Sequence, residues 1–60
     1  MKMIKHYLFV DNESGETFFV EADSKSQAWE NLKEYFQACF CKYLGEFTPE
    51  ESEKYPYDVY

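Results

Sequence analysis

The chain contains no arginine, and its one histidine is His6. Bidentate recognition of phosphate and of guanine leans on arginine, and affinity for nucleic acid needs a basic footprint. With twelve acids against six lysines and a net charge of −6, direct nucleic-acid binding is disfavoured. The two glycines, Gly15 and Gly45, form no phosphate cradle. No stretch approaches the ~20 apolar residues that cross a bilayer, and the opening "MKMIKHYLFV" is too short and too interrupted for a signal sequence. The expectation is an intracellular protein with no membrane association. Cys39 and Cys41 then stay reduced and serve as small hydrophobes, with an intermolecular bridge as the lesser alternative. Two cysteines and one distant histidine do not complete a zinc site.

Catalytic constellations are equally sparse. His6 is the one imidazole that could activate a nucleophile, and its strand context reads as a satisfied structural ring. Glu50, Glu51 and Glu53 would lie solvated on a short helix, without the burial that tunes a carboxyl for proton transfer. "DNESGE" resembles a calcium loop but lacks the terminal bidentate glutamate. The sequence therefore favours binding over catalysis, with no cofactor and no metal expected.

What the chain has is aromatic mass: six Phe, six Tyr and Trp29 in 60 residues. A domain this small buries only ~60% of the surface its unfolded chain exposes. Thirteen such rings exceed one small core, so an exposed aromatic patch is expected.

The order of elements predicts a single α+β domain over residues 1–60. "MIKHYLFV" and "TFFVEA" flank "DNESGE", a hairpin of strands 3–10 and 17–22 with Gly15 at a left-handed position. Alternation puts Ile4, His6, Leu8 and Val10 on one face, joined by Phe18, Val20 and Ala22 under a helix. It leaves Tyr7, Phe9 and Phe19 as a stripe on the open face, a secondary candidate surface. Ser24 is the N-cap of an amphipathic helix over 25–39, with Gln27 as reciprocal partner and Trp29 and Phe36 as anchors. "CKYLGEF" returns as a strand over 41–47, with Gly45 marking a bulge or a close approach. Pairing with the first strand gives a two-layer ββαβ unit, a three-stranded antiparallel sheet of order 2-1-3. Thr48, Pro49 and Glu51 carry the signals of a second, short helix over 49–55. An aromatic tail, 56–60, follows.

The run from "HYLFVDNESGETFFVEADSKSQAWENL" through "YLGEFTPEESE" to "YDVY" resembles small uncharacterised proteins of bacteriophages and gut Firmicutes. Those share the strand, turn, strand and helix order and a Tyr-Asp ending. The resemblance implies a phage or mobile-element origin, a host cytoplasm as location, and no particular activity. It departs at Pro56 and Tyr57, where a glycine usually stands.

Together these features lead to an expected inhibitor of a host protein, of an anti-defence or anti-CRISPR kind. It would act on a basic surface by occlusion or by mimicking nucleic acid. Glu50, Glu51, Glu53 and Asp58 would supply charge, and Tyr55, Tyr57 and Tyr60 the desolvated anchors that interfaces favour. The alternative is a structural or accessory interaction module, or a homodimer closing over Tyr7, Phe9 and Phe19.

Overall fold

A computed structural model describes residues 3–60. The chain runs β1 (Lys5–Asp11), β2 (Thr17–Ala22), α1 (Lys25–Leu32), a 3-10 turn (Ala38–Phe40), β3 (Cys41–Phe47), α2 (Pro49–Ser52) and β4 (Asp58–Val59). The α+β class holds. The sheet, however, has four strands in the order β3-β1-β2-β4. β1 is central and antiparallel to both β2 and β3, whereas β4 adds to β2 in parallel. The expected three-stranded, wholly antiparallel sheet is thus corrected by the tail, which forms a strand. Pro56 does not prevent this, because pairing begins two residues beyond it.

The hairpin fixes which side chains share a face. Gly15 adopts φ 77° and donates to the Asp11 carbonyl at 2.6 Å, while the Asp11 amide donates to the Glu16 carbonyl at 2.8 Å. This closure sets Val10 opposite Thr17, and then Phe9 opposite Phe18 and Tyr7 opposite Val20. Directly opposed residues lie on the same face. Tyr7 and Phe9 therefore join Phe18, Val20 and Ala22 beneath α1, and Phe19 joins His6 and Leu8 on the other side. The expected stripe of Tyr7, Phe9 and Phe19 does not exist as a surface: all three are buried, on two different faces. Each strand's alternation was sound, but matching the strands to each other depended on a loop register that alternation does not contain.

The first core fills the α1 side. Ala28 and Leu32 are fully buried against it, and Trp29 meets Phe9 edge-on with centroids 4.8 Å apart. Phe36 stacks on Phe18 at 4.0 Å. Ser24 caps α1 by accepting from the Gln27 amide. The Gln27 side chain does not reach back to close a box; it donates to Asn31, whose amide donates to the Glu21 carbonyl. The regular helix ends at Leu32 rather than at residue 39. From above β2 the chain must step sideways past β1, about two strand spacings of ~4.8 Å, to start β3 opposite Asp11. A helix continued along its own axis cannot do that, and turns and the 3-10 segment make the crossing.

β3 carries a bulge. Leu8 opposes Gly45 and Phe9 opposes Tyr43, so Leu44 is the extra residue. Without it Tyr43 and Phe47 would share a face. With it Tyr43 packs edge-on to Phe9 on the α1 side, and Phe47 crosses to the other face to meet Phe19 at 5.7 Å.

Phe19 is thus the centre of a second core, ringed by Phe47, Tyr55, Tyr57 and His6. The expected two layers become a sheet covered on both sides. Phe19→Ala should cost about 3–5 kcal/mol, the range for emptying a buried phenylalanine site, and match Phe18→Ala on the opposite face. Urea unfolding followed by tryptophan fluorescence measures both. A Phe19→Ala cost below about 1 kcal/mol, the range of a surface change, would mean that the second core contributes little.

Candidate functional site

The candidate residues at the C-terminal end divide by the job each does. α2 starts with a complete capping box: Thr48 Oγ1 accepts from the Glu51 amide at 3.1 Å, and Glu51 Oε1 accepts from the Thr48 amide at 3.0 Å. The Thr48 backbone bond, then the contact with its side chain, lowers the Glu51 carboxyl below the ordinary glutamate range. Glu51 is thereby occupied in holding the helix. Glu50 and Glu53 are exposed, and no ion pair is recorded for either among the described residues. α2 has four residues rather than the expected seven, since turns from Glu53 to Tyr55 bring the chain down onto the sheet.

Ser52 points inward and is buried. Its Oγ donates to the Pro49 carbonyl at 2.9 Å and lies 2.5 Å from His6 Nδ1. A hydroxyl already donating to Pro49 accepts from His6, so Nδ1 carries the proton. His6 Nε2 faces Glu21 Oε2 at 3.2 Å, a contact that is attractive when the ring is doubly protonated. The set has the residue types of a hydrolytic triad but not its geometry. The Ser52 hydroxyl is out of solvent and engaged with helix backbone, so it is a fastening between α2 and strands β1 and β2. A histidine with both ring nitrogens engaged was legible in the sequence; its partners, 46 and 15 residues away, were not.

Tyr55 and Tyr57 lie nearly parallel, 7° apart with centroids at 5.9 Å, and both rest on Phe19. Their inner sides cover the second core, yet they remain 43% and 37% exposed. Tyr57 therefore packs and is presented at once. Tyr60 goes elsewhere. Its amide donates to the Phe19 carbonyl and its carbonyl accepts from the Glu21 amide, each at 2.8 Å, which sends the ring to the α1 side. There it meets Phe18, Phe36 and Tyr35. Burial, with the Glu16 and Asp58 charges, raises its phenol above the usual tyrosine range. Tyr60, grouped from the sequence with the partner-facing tyrosines Tyr55 and Tyr57, is instead partly buried and anchors the tail. Asp58 is exposed on β4.

One surface was missed in the sequence. α2 covers only the end of its face nearest His6. Leu8, Val10 and Thr17 stay half-buried further along, and Val59 beside Phe19 is exposed. Opposite Leu8 stands Gly45, where the Phe47 ring lies 3.5 Å from the place a Cβ would take. An apolar strip thus runs from Leu8 and Val10 past Val59 towards Tyr57 and Tyr55. The face assignment that hid this strip is the same one that misplaced Phe9 and Tyr7.

The cysteines also separate. Cys39 is exposed, while burial raises the thiol of Cys41 above its ordinary range. No group of three or more His, Cys, Asp or Glu side chains placed to hold a metal ion occurs among the described residues, nor is any helix long and apolar enough to cross a membrane. Comparison with protein-family models, with curated proteins and with solved structures gave no match.

Two outcomes follow from the fastening and the cap. Ser52→Ala leaves the buried Nδ1–H without its acceptor and should cost about 1–3 kcal/mol, with NMR shifts concentrated at Tyr55 and Tyr57 rather than at Trp29. Shifts confined to α1 would contradict the assignment. Because the Glu51 carboxyl is held below its unfolded value, its contribution is full above the ordinary glutamate range and is lost as pH falls through the folded value. The stability gap between wild type and Glu51→Gln should therefore be widest near neutral pH and close in acid. Urea midpoints across the acid range read it directly, and a gap that widens in acid would refute the cap's role.

Proposed function

We propose that this chain is a small acidic protein-binding inhibitor of the phage type, directed at a basic surface of a host protein. Defence effectors, whose surfaces hold nucleic-acid phosphates, are the favoured class of target. The observation that carries this reading is the Tyr55 and Tyr57 pair, seated on Phe19 yet half-exposed, which follows an acidic helix whose Glu50 and Glu53 carboxylates are exposed. Rigid aromatic anchors lose little side-chain entropy on docking, and neighbouring carboxylates steer a cationic partner into place. Asp58 and the exposed Val59 extend the same end of the molecule. Carboxylates in place of phosphates would let the protein occupy a nucleic-acid site without binding nucleic acid itself.

A homodimer or accessory module is the second reading, now centred on the strip of Leu8, Val10 and Val59. Net charge disfavours self-association through this end, because two copies would bring like charges together. Both sheet edges are also blunted: β4 has two residues, and β3 carries a bulge with Lys42 and Glu46 exposed.

Affinity capture from host lysate separates the readings. Wild type should recover a partner at ~0.1 M salt, where the Debye length is ~10 Å, and lose it as salt rises. The Glu50→Gln, Glu53→Gln double variant, altered only at exposed positions, should recover much less. Equal recovery by both proteins, or a dimer unchanged in ~1 M salt with no other protein bound, would overturn the proposal.

A further inference from the structure

We infer that the groove between the hairpin tip and the end of α1 receives an arginine side chain of the partner. The groove has a volume of about 400 Å³, and its walls include Asp11, Glu13, Lys33, Glu34, Tyr35 and Phe40. Among the described residues the lining carries three carboxylates and one ammonium. Lys33 Nζ lies 3.5 Å from Glu30 Oε1, which offsets part of its charge, so the mouth keeps an excess of negative charge. Asp11 accepts from the Glu13 amide through Oδ1, which leaves its second oxygen.

Aromatic surface makes the groove more than an acidic patch. Tyr35 is 58% and Phe40 41% exposed, large rings left bare beside carboxylates while thirteen aromatics compete for two small cores. A planar, weakly hydrated guanidinium suits this pairing. It stacks on a ring face and donates two parallel hydrogen bonds to a carboxylate, where a lysine ammonium is compact and strongly hydrated. The fold already seats one cation on an aromatic ring, Lys25 Nζ lying 4.3 Å from the centroid of Tyr43. The groove also adjoins the tail, since Tyr35 touches Tyr60 at 5.1 Å.

This inference rests on the reading of the chain as a binder of a basic partner and narrows what that partner must present. It is tested without the partner, by following amide resonances of the whole protein during titration with N-acetyl-arginine amide. N-acetyl-citrulline amide, its uncharged counterpart, and N-acetyl-lysine amide run in parallel. Saturable shifts are expected at Glu13, Tyr35 and Phe40 with the arginine probe, and none with citrulline. The Glu13→Gln, Glu34→Gln double variant should bind about tenfold more weakly. Citrulline shifting the same amides, lysine binding as tightly, or arginine shifts that never saturate and centre on Glu50 and Glu53 would each overturn the assignment. A failure here leaves the surface at α2 standing, whereas a failed capture with a saturable groove removes the inhibitor reading and not the arginine site.

Discussion

The structure turns on covering Phe19. A fully buried phenylalanine on the sheet face opposite α1 demands apolar partners that neither the hairpin nor the long helix can provide. Everything after Tyr43 answers that demand. The bulge at Leu44 sends Phe47 across the sheet, the capped α2 brings Ser52 onto His6, and the following turns lower Tyr55 and Tyr57 onto the ring. β4 then fastens the chain to the edge of β2 itself. A 60-residue domain builds in this way two thin cores from rings, one on each face. Aromatics suit the task because each covers a large area with few rotatable bonds.

The same constraint shapes the surface. Rings that cover Phe19 keep exposed outer sides, and the carboxylates of Glu50 and Glu53 are free of the cap because Glu51 serves it. Stability and presentation thus come from the same side chains. Removing a tyrosine at this end weakens both, whereas changing Glu50 or Glu53 alters charge while leaving the fastening untouched. At the other end of β1, Tyr35 and Phe40 repeat the pattern of bare rings beside acids.

Local chemistry was readable in the sequence, and distant pairing was not. The N-caps at Ser24 and Thr48, the left-handed Gly15, the bulge beside Gly45 and the central place of β1 all follow from short-range signals. The faces of Tyr7 and Phe9 did not, because one residue of register exchanges every side chain and the loop alone decides it. The end of α1 carries no glycine or proline, so its stop at Leu32 comes from the sideways path to β3 rather than from a breaker. β4 was hidden for a related reason: two residues of strand have no period, and their partner is about 40 positions earlier. At the acidic end Tyr55 and Tyr57 come together on Phe19 and Glu50 and Glu53 are exposed, while Tyr60 goes elsewhere because its backbone bonds to Phe19 and Glu21 turn its ring to the other face.

The central claim is that residues 48–60 belong to the cooperative fold instead of lying on it as an appendage. Native-state hydrogen exchange tests it at two amides, Tyr60, which donates to the Phe19 carbonyl, and Glu21, which donates to the Tyr60 carbonyl. If the second core holds the domain together, both exchange only through global unfolding, with the same opening free energy as the amides between β1 and β2. Exchange at these two amides orders of magnitude faster, while the hairpin stays protected, would show that the tail detaches by itself and would contradict the claim.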